Sequence, residues 1–404
     1  MVAIFDVQVK PRISDLQFTV EEYKTPQQSL PLYPIYDQVR RTIWVGDSTP
    51  ESGRIWEFDI ETKNYTVHSI SNASLITMTA LGNDGQIWYL DPSKNILGKY
   101  DPVSKDNLQF TIPIEGISSA MAVDEFQNVW LTIGGQSNSI VRFLPNSNEF
   151  TIYDIPTANS LPTDITVDRQ GKVWFTESVG KVGKLDPATG NITEYQPFGT
   201  SLEEPSAILS DPKDSRIYIS EHEGKAISVL DPVFDTFSKY PITSPEGLPF
   251  GMALDAYGNL WFAQHVIDEI GLIDPESNEI TEVRIPTNGS FVQWLVPDDQ
   301  GRIWFAEQRG SSLGAINMAL QPNAVIQDEE RKAGQRPSQG QGAGVATGSG
   351  PAHIPQLNFG FADILGPLIA VGIIVSAALY SKNVLDLDRN IVLARQSGPK
   401  ISKQ

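Results

Sequence analysis

A turn followed by (Ile/Val/Leu)-Trp, most often as Gly-x-(Ile/Val/Leu)-Trp, returns through this chain at a nearly constant interval. It recurs around Trp88, Trp130, Trp174, Trp261 and Trp304, with looser copies at Trp44 and at Tyr218 in RIYISE. The intervals are 44, 42, 44, 44, 43 and 43 residues. Self-similarity at this period means that each unit is one supersecondary element that buries its apolar faces against its neighbours. A single unit has too few strands to do so alone.

Each unit holds four strand-like runs. In the fourth copy they are Thr163–Val167, Lys172–Glu177, Lys181–Leu185 and Asn191–Tyr195. Turn residues separate them: RQG, AYG and DQG between the first two runs, and Asp-Pro after the third at Asp101, Asp186, Asp231 and Asp274. Four short antiparallel strands per repeat describe a propeller blade, and a parallel β-helix would need much shorter coils. The sequence therefore predicts an all-β, seven-bladed β-propeller.

The ends predict how the ring closes. The seventh copy has three runs, Phe291–Val296, Arg302–Glu307 and Leu313–Asn317, and continues into QPNAVIQDEER without a fourth. A spare fourth-strand sequence, LQFTVEEY, lies at Leu16–Tyr23 ahead of the first copy. It is expected to complete blade seven and remove the open edge. The propeller then spans 16–320 behind an arm at 1–15.

Residues 321–358 are rich in Gly, Gln, Ser and Ala and read as a flexible tether. The run ILGPLIAVGIIVSAALYS at Ile364–Ser381 is uncharged, and with FGFAD before it is long enough to span a bilayer. We expect a single transmembrane helix over 359–381 and a basic tail over 382–404. No Lys or Arg occurs from 337 to 363, whereas the tail carries Lys382, Arg389, Arg395, Lys400 and Lys403. The positive-inside rule makes that tail cytoplasmic and the propeller extracellular, at the cell membrane. MVAIFDVQVKPR has no apolar stretch of signal-peptide length, so this orientation implies a removed leader; a cytoplasmic propeller on a tail anchor is the alternative.

Cysteine is absent, so disulfides and thiolate metal sites are excluded. The formal net charge of −19 leaves no basic surface for phosphates and excludes nucleic acid as a partner. No nucleophile elbow, P-loop, HExxH or dinucleotide fingerprint occurs, and GGQSNS at 134–139 does not lead into a helix.

The residue three positions after each repeat aromatic is Asp47, Asp91, Ile133, Glu177, Glu221, Gln264 or Glu307. Superposed repeats bring these to one end of the propeller as an acidic rim, the expected ligand-binding rim. His222 and His265 directly follow two of its members, in SEHEG and AQHVI. Glu177, Glu221, His222, His265 and Glu307 are the candidate metal ligands, offering oxygen and imidazole to a divalent cation such as Mg²⁺ or Ca²⁺. The competing interpretation is a framework role, since a residue type repeated in most blades usually makes the same internal bond in each.

The repeat wording resembles the virginiamycin B lyase (streptogramin lyase) family, whose blades read ITxGPDGxxWFTExxxNKIGRI. The matching stretches are DITVDRQGKVWFTESVGKVGKLDP at 164–187 and GMALDAYGNLWFAQHVIDEIGLIDP at 251–275, and the resemblance covers about 16–318. It implies a seven-bladed propeller and, for the family's enzymes, Mg²⁺-assisted elimination that opens a cyclic antibiotic's lactone. The family's catalytic histidines lie in Pro-His-(Ala/Gly)-Ile at the start of a first strand, one of them after Glu. Here the corresponding stretches are LPTDI (161–165), EPSAI (204–208), LPFGM (248–252) and SFVQW (290–294). Thr163, Ser206 and Phe250 stand where the imidazole belongs, and only Glu204 echoes the motif's Glu. Without an imidazole there is no obvious general base. The expectation is a membrane-anchored binding or scaffold module, or a subunit of a membrane complex, meeting a protein or small ligand at its rim. The alternative is a divergent metal-assisted lyase or lactonase, with Glu204, Glu221 and His265 as catalytic candidates.

Overall fold

The computed structural model describes residues 10–321. Among them no helix is long and apolar enough to cross a membrane. The transmembrane helix expected over 359–381, the basic tail, and all of the tether but Gln321 lie outside the described residues.

Seven separate four-stranded antiparallel sheets succeed one another, and in six of them the strand order follows the chain. Blade four comprises Pro162–Val167, Val173–Glu177, Lys181–Leu185 and Ile192–Tyr195, within two residues of the sequence expectation. Blade five comprises Pro205–Ser210, Ile217–Glu221, Ala226–Asp231 and Thr236–Pro241; blade six begins with Pro249–Leu254 and Leu260–Gln264. The seventh sheet combines Val292–Pro297, Ile303–Glu307 and Ser312–Leu320 with the N-terminal strand Leu16–Lys24. That strand pairs residue for residue with the last one, from Leu16 opposite Leu320 to Lys24 opposite Ser312. The predicted closure is present.

Burial explains the composition of each run. Every residue of the second strands Val173–Glu177, Ile217–Glu221 and Leu260–Gln264 is buried, because flanking strands cover their edges and adjacent blades cover both faces. Such strands begin as continuous apolar runs instead of alternating ones and end on buried polar residues, as in VWFTE, IYISE and LWFAQ. Outer strands such as Thr236–Pro241 mix exposed and half-buried residues, with none fully buried. The repeat tryptophans are almost wholly buried. In four blades the indole Nε1 donates to an aspartate in the turn before its own strand: Trp130 to Asp124 at 2.9 Å, Trp174 to Asp168 at 2.8 Å, Trp261 to Asp255 at 3.1 Å and Trp304 to Asp298 at 2.8 Å. Each aspartate also accepts backbone N–H groups of its turn, so one residue fixes both turn and indole. Blade two has Gly82 at this place, and the Nε1 of Trp88 has no partner.

A register shift interrupts the pairing of first and second strands in six blades, for example between Pro162 and Ile165 and between Pro205 and Ile208. Such bulges leave an N–H outside the ladder. A second-strand hydroxyl takes it up in three blades: Thr132 from Ala120 N (3.0 Å), Thr176 from Asp164 N (3.0 Å) and Ser220 from Ala207 N (2.8 Å). Thr163, Ser206, Phe250 and Gln293 all occupy these bulges.

Candidate functional site

The repeat does bring Asp47, Asp91, Glu177, Glu221, Gln264 and Glu307 to the last residue of equivalent strands, but all are wholly buried. The open acidic rim expected from the sequence is therefore corrected. In blades one, two and five the segment leading into the blade folds over its carboxylate and uses it as an acceptor. Asp47 accepts from the N–H groups of Leu30 (3.0 Å) and Thr49 (2.9 Å) and from Arg54 Nε (2.9 Å). Asp91 accepts from Ser74 N at 2.6 Å. Glu221 accepts from Glu203 N (2.7 Å), Lys239 Nζ (2.9 Å) and the Ser228 hydroxyl. These three are framework residues. The Mg²⁺ implied by the family resemblance needs several free oxygen ligands. The oxygens of these three are engaged by the chain's own donors, and Glu177 and Glu307 stand in separate blades, so the residues do not form an all-oxygen site.

Glu177 and Glu307 differ, since neither meets a donor at hydrogen-bond geometry. Burial pushes both carboxyls up to about 7, reinforced by Glu194 beside Glu177 and by Glu22 beside Glu307. Glu194 is itself held by Lys181 and Thr157, and Glu22 by Thr287. Asp164, which sequence reasoning did not single out, is likewise pushed up to about 7 by burial, against a hydrogen bond from Ile208 N at 2.8 Å. Only its place in a bulge could have signalled it.

Raised carboxyls bind protons more tightly folded than unfolded. Their stabilisation is fully present below the ordinary glutamate value of 4.5 and is lost as pH rises through about 7. We expect Glu177→Gln with Glu307→Gln to flatten the fall of melting temperature over that window. At about pH 8 the double variant should be more stable by on the order of 1–2 kcal/mol, and no more stable at about pH 4. Thermal melts followed by circular dichroism against pH check this. A variant whose melting temperature falls as steeply as the parent's sinks it.

The two histidines do meet. His222 begins the turn after the second strand of blade five, and His265 the equivalent turn of blade six. Their rings stack with centroids 5.1 Å apart and planes 13° from parallel, and their Nε2 atoms are 3.4 Å apart. Phe250 lies edge-on to both, at 6.1 Å and 5.6 Å, and Trp294 at 5.3 Å; Phe291 packs on His265 at 4.8 Å under the Arg309 guanidinium. Burial, then His222 and Arg309, push the His265 imidazole down to about 3, so it is neutral at physiological pH and a weak base. Beside His222, Glu204 and Glu223 approach its Nδ1 to 3.5 and 3.6 Å. The backbone fixes this corner: His222 N donates to Glu204 O (3.1 Å) and Gly224 N to Glu203 O (3.3 Å). Glu204 has a φ of +54°, but Leu161 (+53°) and Phe291 (+57°) share it at equivalent places, so the conformation belongs to the repeat.

Of the metal candidates, then, only His222 and His265 come together. Glu177, Glu221 and Glu307 serve separate blades. Of the catalytic candidates, Glu204 sits beside His222, while Glu221 is committed to the framework. Glu223 was missed, although SEHEG brackets the histidine with acids. At the family's histidine positions, Thr163 Oγ1 is 2.8 Å from Thr176 Oγ1 and 3.3 Å from Pro205 O, Ser206 Oγ donates to Glu204 O (3.1 Å), and Phe250 fills the aromatic cluster.

A comparison with curated protein sequences returns no match. Among solved structures, a streptogramin B lyase aligns with a TM-score of 0.68 at 20% identity, covering 75% of this chain and 98% of its own. A catalytically inactive histidine-to-alanine variant of virginiamycin B lyase from Staphylococcus aureus, solved with quinupristin, aligns with a TM-score of 0.68 at 19% identity, covering 74% and 99%. The extracellular domain of a one-component system from B. thetaiotaomicron aligns with a TM-score of 0.60 at 12% identity, covering 73% and 39%. At these identities the likeness concerns the fold. The sequence model of the Virginiamycin B lyase family matches residues 8–234 and 199–325, the entire propeller. The chain belongs to the virginiamycin B lyase family.

Proposed function

We propose that this member of the family is a binding or scaffold propeller, held at the cell membrane by the apolar run at 364–381, with the propeller outside. The observation that carries the binding role is the occupancy of the first-strand bulges. Thr163, Ser206 and Phe250 fill the imidazole positions with hydroxyls and a packed ring, so none of the three can take a proton as an imidazole would, and the carboxyl beside Thr163, Asp164, is buried and accepts from Ile208 N. The binding end is the one bearing the packed cluster of Phe250, Phe291, Trp294, His222 and His265, where the exposed side chains of Glu204 and Glu223 beside His222 are the groups a ligand would meet first. The solved extracellular domain of the one-component system, which shares the fold, offers a precedent for such a domain outside the cell.

The test is incubation of the full-length protein with quinupristin and Mg²⁺, followed by mass spectrometry and chromatography. No ring-opened product is expected. A linear product that disappears in His222→Ala or His265→Ala would establish the lyase alternative, which the two imidazoles around Phe250 favour. Protease protection of intact cells reports the orientation: the propeller is expected to be cleaved from outside and the 382–404 tail protected.

A further inference from the structure

The family's Mg²⁺ finds no oxygen cage here, yet one corner of the same end of the propeller has three metal-ligating atoms converging. Glu204, His222 and Glu223 each bring one ligand atom to this corner, all within 4.8 Å of one another. His222 is nine-tenths buried, and its Nδ1, wholly buried, has no hydrogen-bond partner. The two carboxylate oxygens lie 3.5 and 3.6 Å from that nitrogen, beyond a good hydrogen bond. Those separations match a different object. Ligands held about 2.0–2.2 Å from a tetrahedral ion are about 3.3–3.6 Å apart.

The other side of the ring is consistent with this. A metal-bound imidazole generally donates its second N–H to an acceptor that fixes its tautomer. The Nε2 of His222 faces the Nε2 of His265 at 3.4 Å, and the stacked rings and Phe250 hold both in place. A proton on that side leaves the Nδ1 lone pair pointing at two carboxylates, an arrangement of acceptors that a cation resolves. The glutamate side chains are 49% and 63% exposed, so an ion has a path in and both can rotate to close the site.

We propose that Glu204, His222 and Glu223 form a divalent transition-metal site of the zinc class, with its fourth position open to water or a donor atom of a ligand. One imidazole with two carboxylates suits Zn²⁺ better than Mg²⁺ or Ca²⁺, which prefer oxygen alone. The site needs neither elimination chemistry nor the binding role proposed above, so either can fail without the other.

The experiment uses the full-length protein in detergent, stripped with a chelator and titrated with Zn²⁺ in competition with a chromophoric chelator. About one Zn²⁺ should bind per chain, with Mg²⁺ at millimolar concentration failing to displace it. X-ray absorption of the loaded protein should show a shell of nitrogen and oxygen near 2.0–2.2 Å, roughly one nitrogen among them. His222→Ala and Glu223→Gln should each weaken binding by about 10–100-fold or more, while a control change of His353, in the tether outside the described residues, leaves it unchanged. Glu223 is exposed, so its variant reads the site even where His222→Ala disturbs folding. No Zn²⁺ binding by the parent, or parental affinity in Glu223→Gln, overturns the assignment.

Discussion

Deleting residues 1–26 unfolds the whole propeller instead of loosening one blade. Among the described residues, the strand Leu16–Lys24 is the only one that covers the edge of Ser312–Leu320, to which it pairs along its full length. It also holds the neighbours on both sides. Toward blade six, Phe18 meets Trp261 edge-on at 5.9 Å, Glu22 accepts from Thr287 N (2.9 Å) and Oγ1 (3.0 Å), and Ser14 N donates to Glu279 at 3.1 Å. Toward blade one, Tyr23 packs on Phe58 at 4.8 Å and its carbonyl accepts from Tyr65 Oη at 2.6 Å. The remaining core loses the apolar packing of Ile13, Leu16, Phe18, Val20 and Tyr23 together, at about 1.5–3 kcal/mol for each fully buried side chain. Even discounted for partial burial, that sum is comparable to the ~5–15 kcal/mol that holds a domain folded. It would also expose a long strand edge. Near-ultraviolet circular dichroism and thermal melting should show no cooperative transition in the truncated chain. A cooperative melt within a few degrees of the parent's would mean that the ring is closed by its other contacts.

That strand was legible because it is a fourth-strand sequence with no blade of its own. The seven-fold repeat was legible for a similar reason: one buried indole or phenol per blade must recur where the packing recurs. What the repeat could not convey is what covers an equivalent position. Glu177 and Asp47 share a place on their strands, yet one meets no donor and the other accepts from three. The difference lies in the loops on both sides, since Leu30 precedes Asp47 while Thr49 and Arg54 follow it, and loops vary between copies because they lie on the surface. Taking one residue per repeat also hid Glu223, which stands between repeat positions and becomes relevant only because blade five's turn bends back toward Glu204. Local chemistry that breaks the repeat is where the candidate site lies, and the repeat is silent about it.

A second rule is internal to the chain and equally open to test. Opposite four second-strand aromatics stands glycine: Tyr89–Gly98, Phe175–Gly183, Phe262–Gly271 and Phe305–Gly314. Opposite aliphatic residues stand side chains: Val45–Trp56, Leu131–Val141 and Ile219–Ser228. The reason is contact distance. A Cβ on Gly183 would lie 2.0 Å from Phe175 Cζ, and the other three glycines give 1.9 to 2.0 Å from their own rings. None of the four has a positive φ, so alanine suits the backbone and would by itself restrict the unfolded chain favourably. Steric overlap decides the sign: displacing a buried ring should make Gly183→Ala cost about 3 kcal/mol, at the upper end for overpacking, and Gly183→Val more. Phe175→Leu alone leaves a cavity and should cost about 1–2 kcal/mol. Combined with Gly183→Val it recreates the Leu131–Val141 pair of blade three, and the double variant should lose less than the sum of the singles by at least ~1 kcal/mol. Urea unfolding of the four proteins closes the cycle. Strict additivity would show that the glycines are there for some reason other than the rings they face.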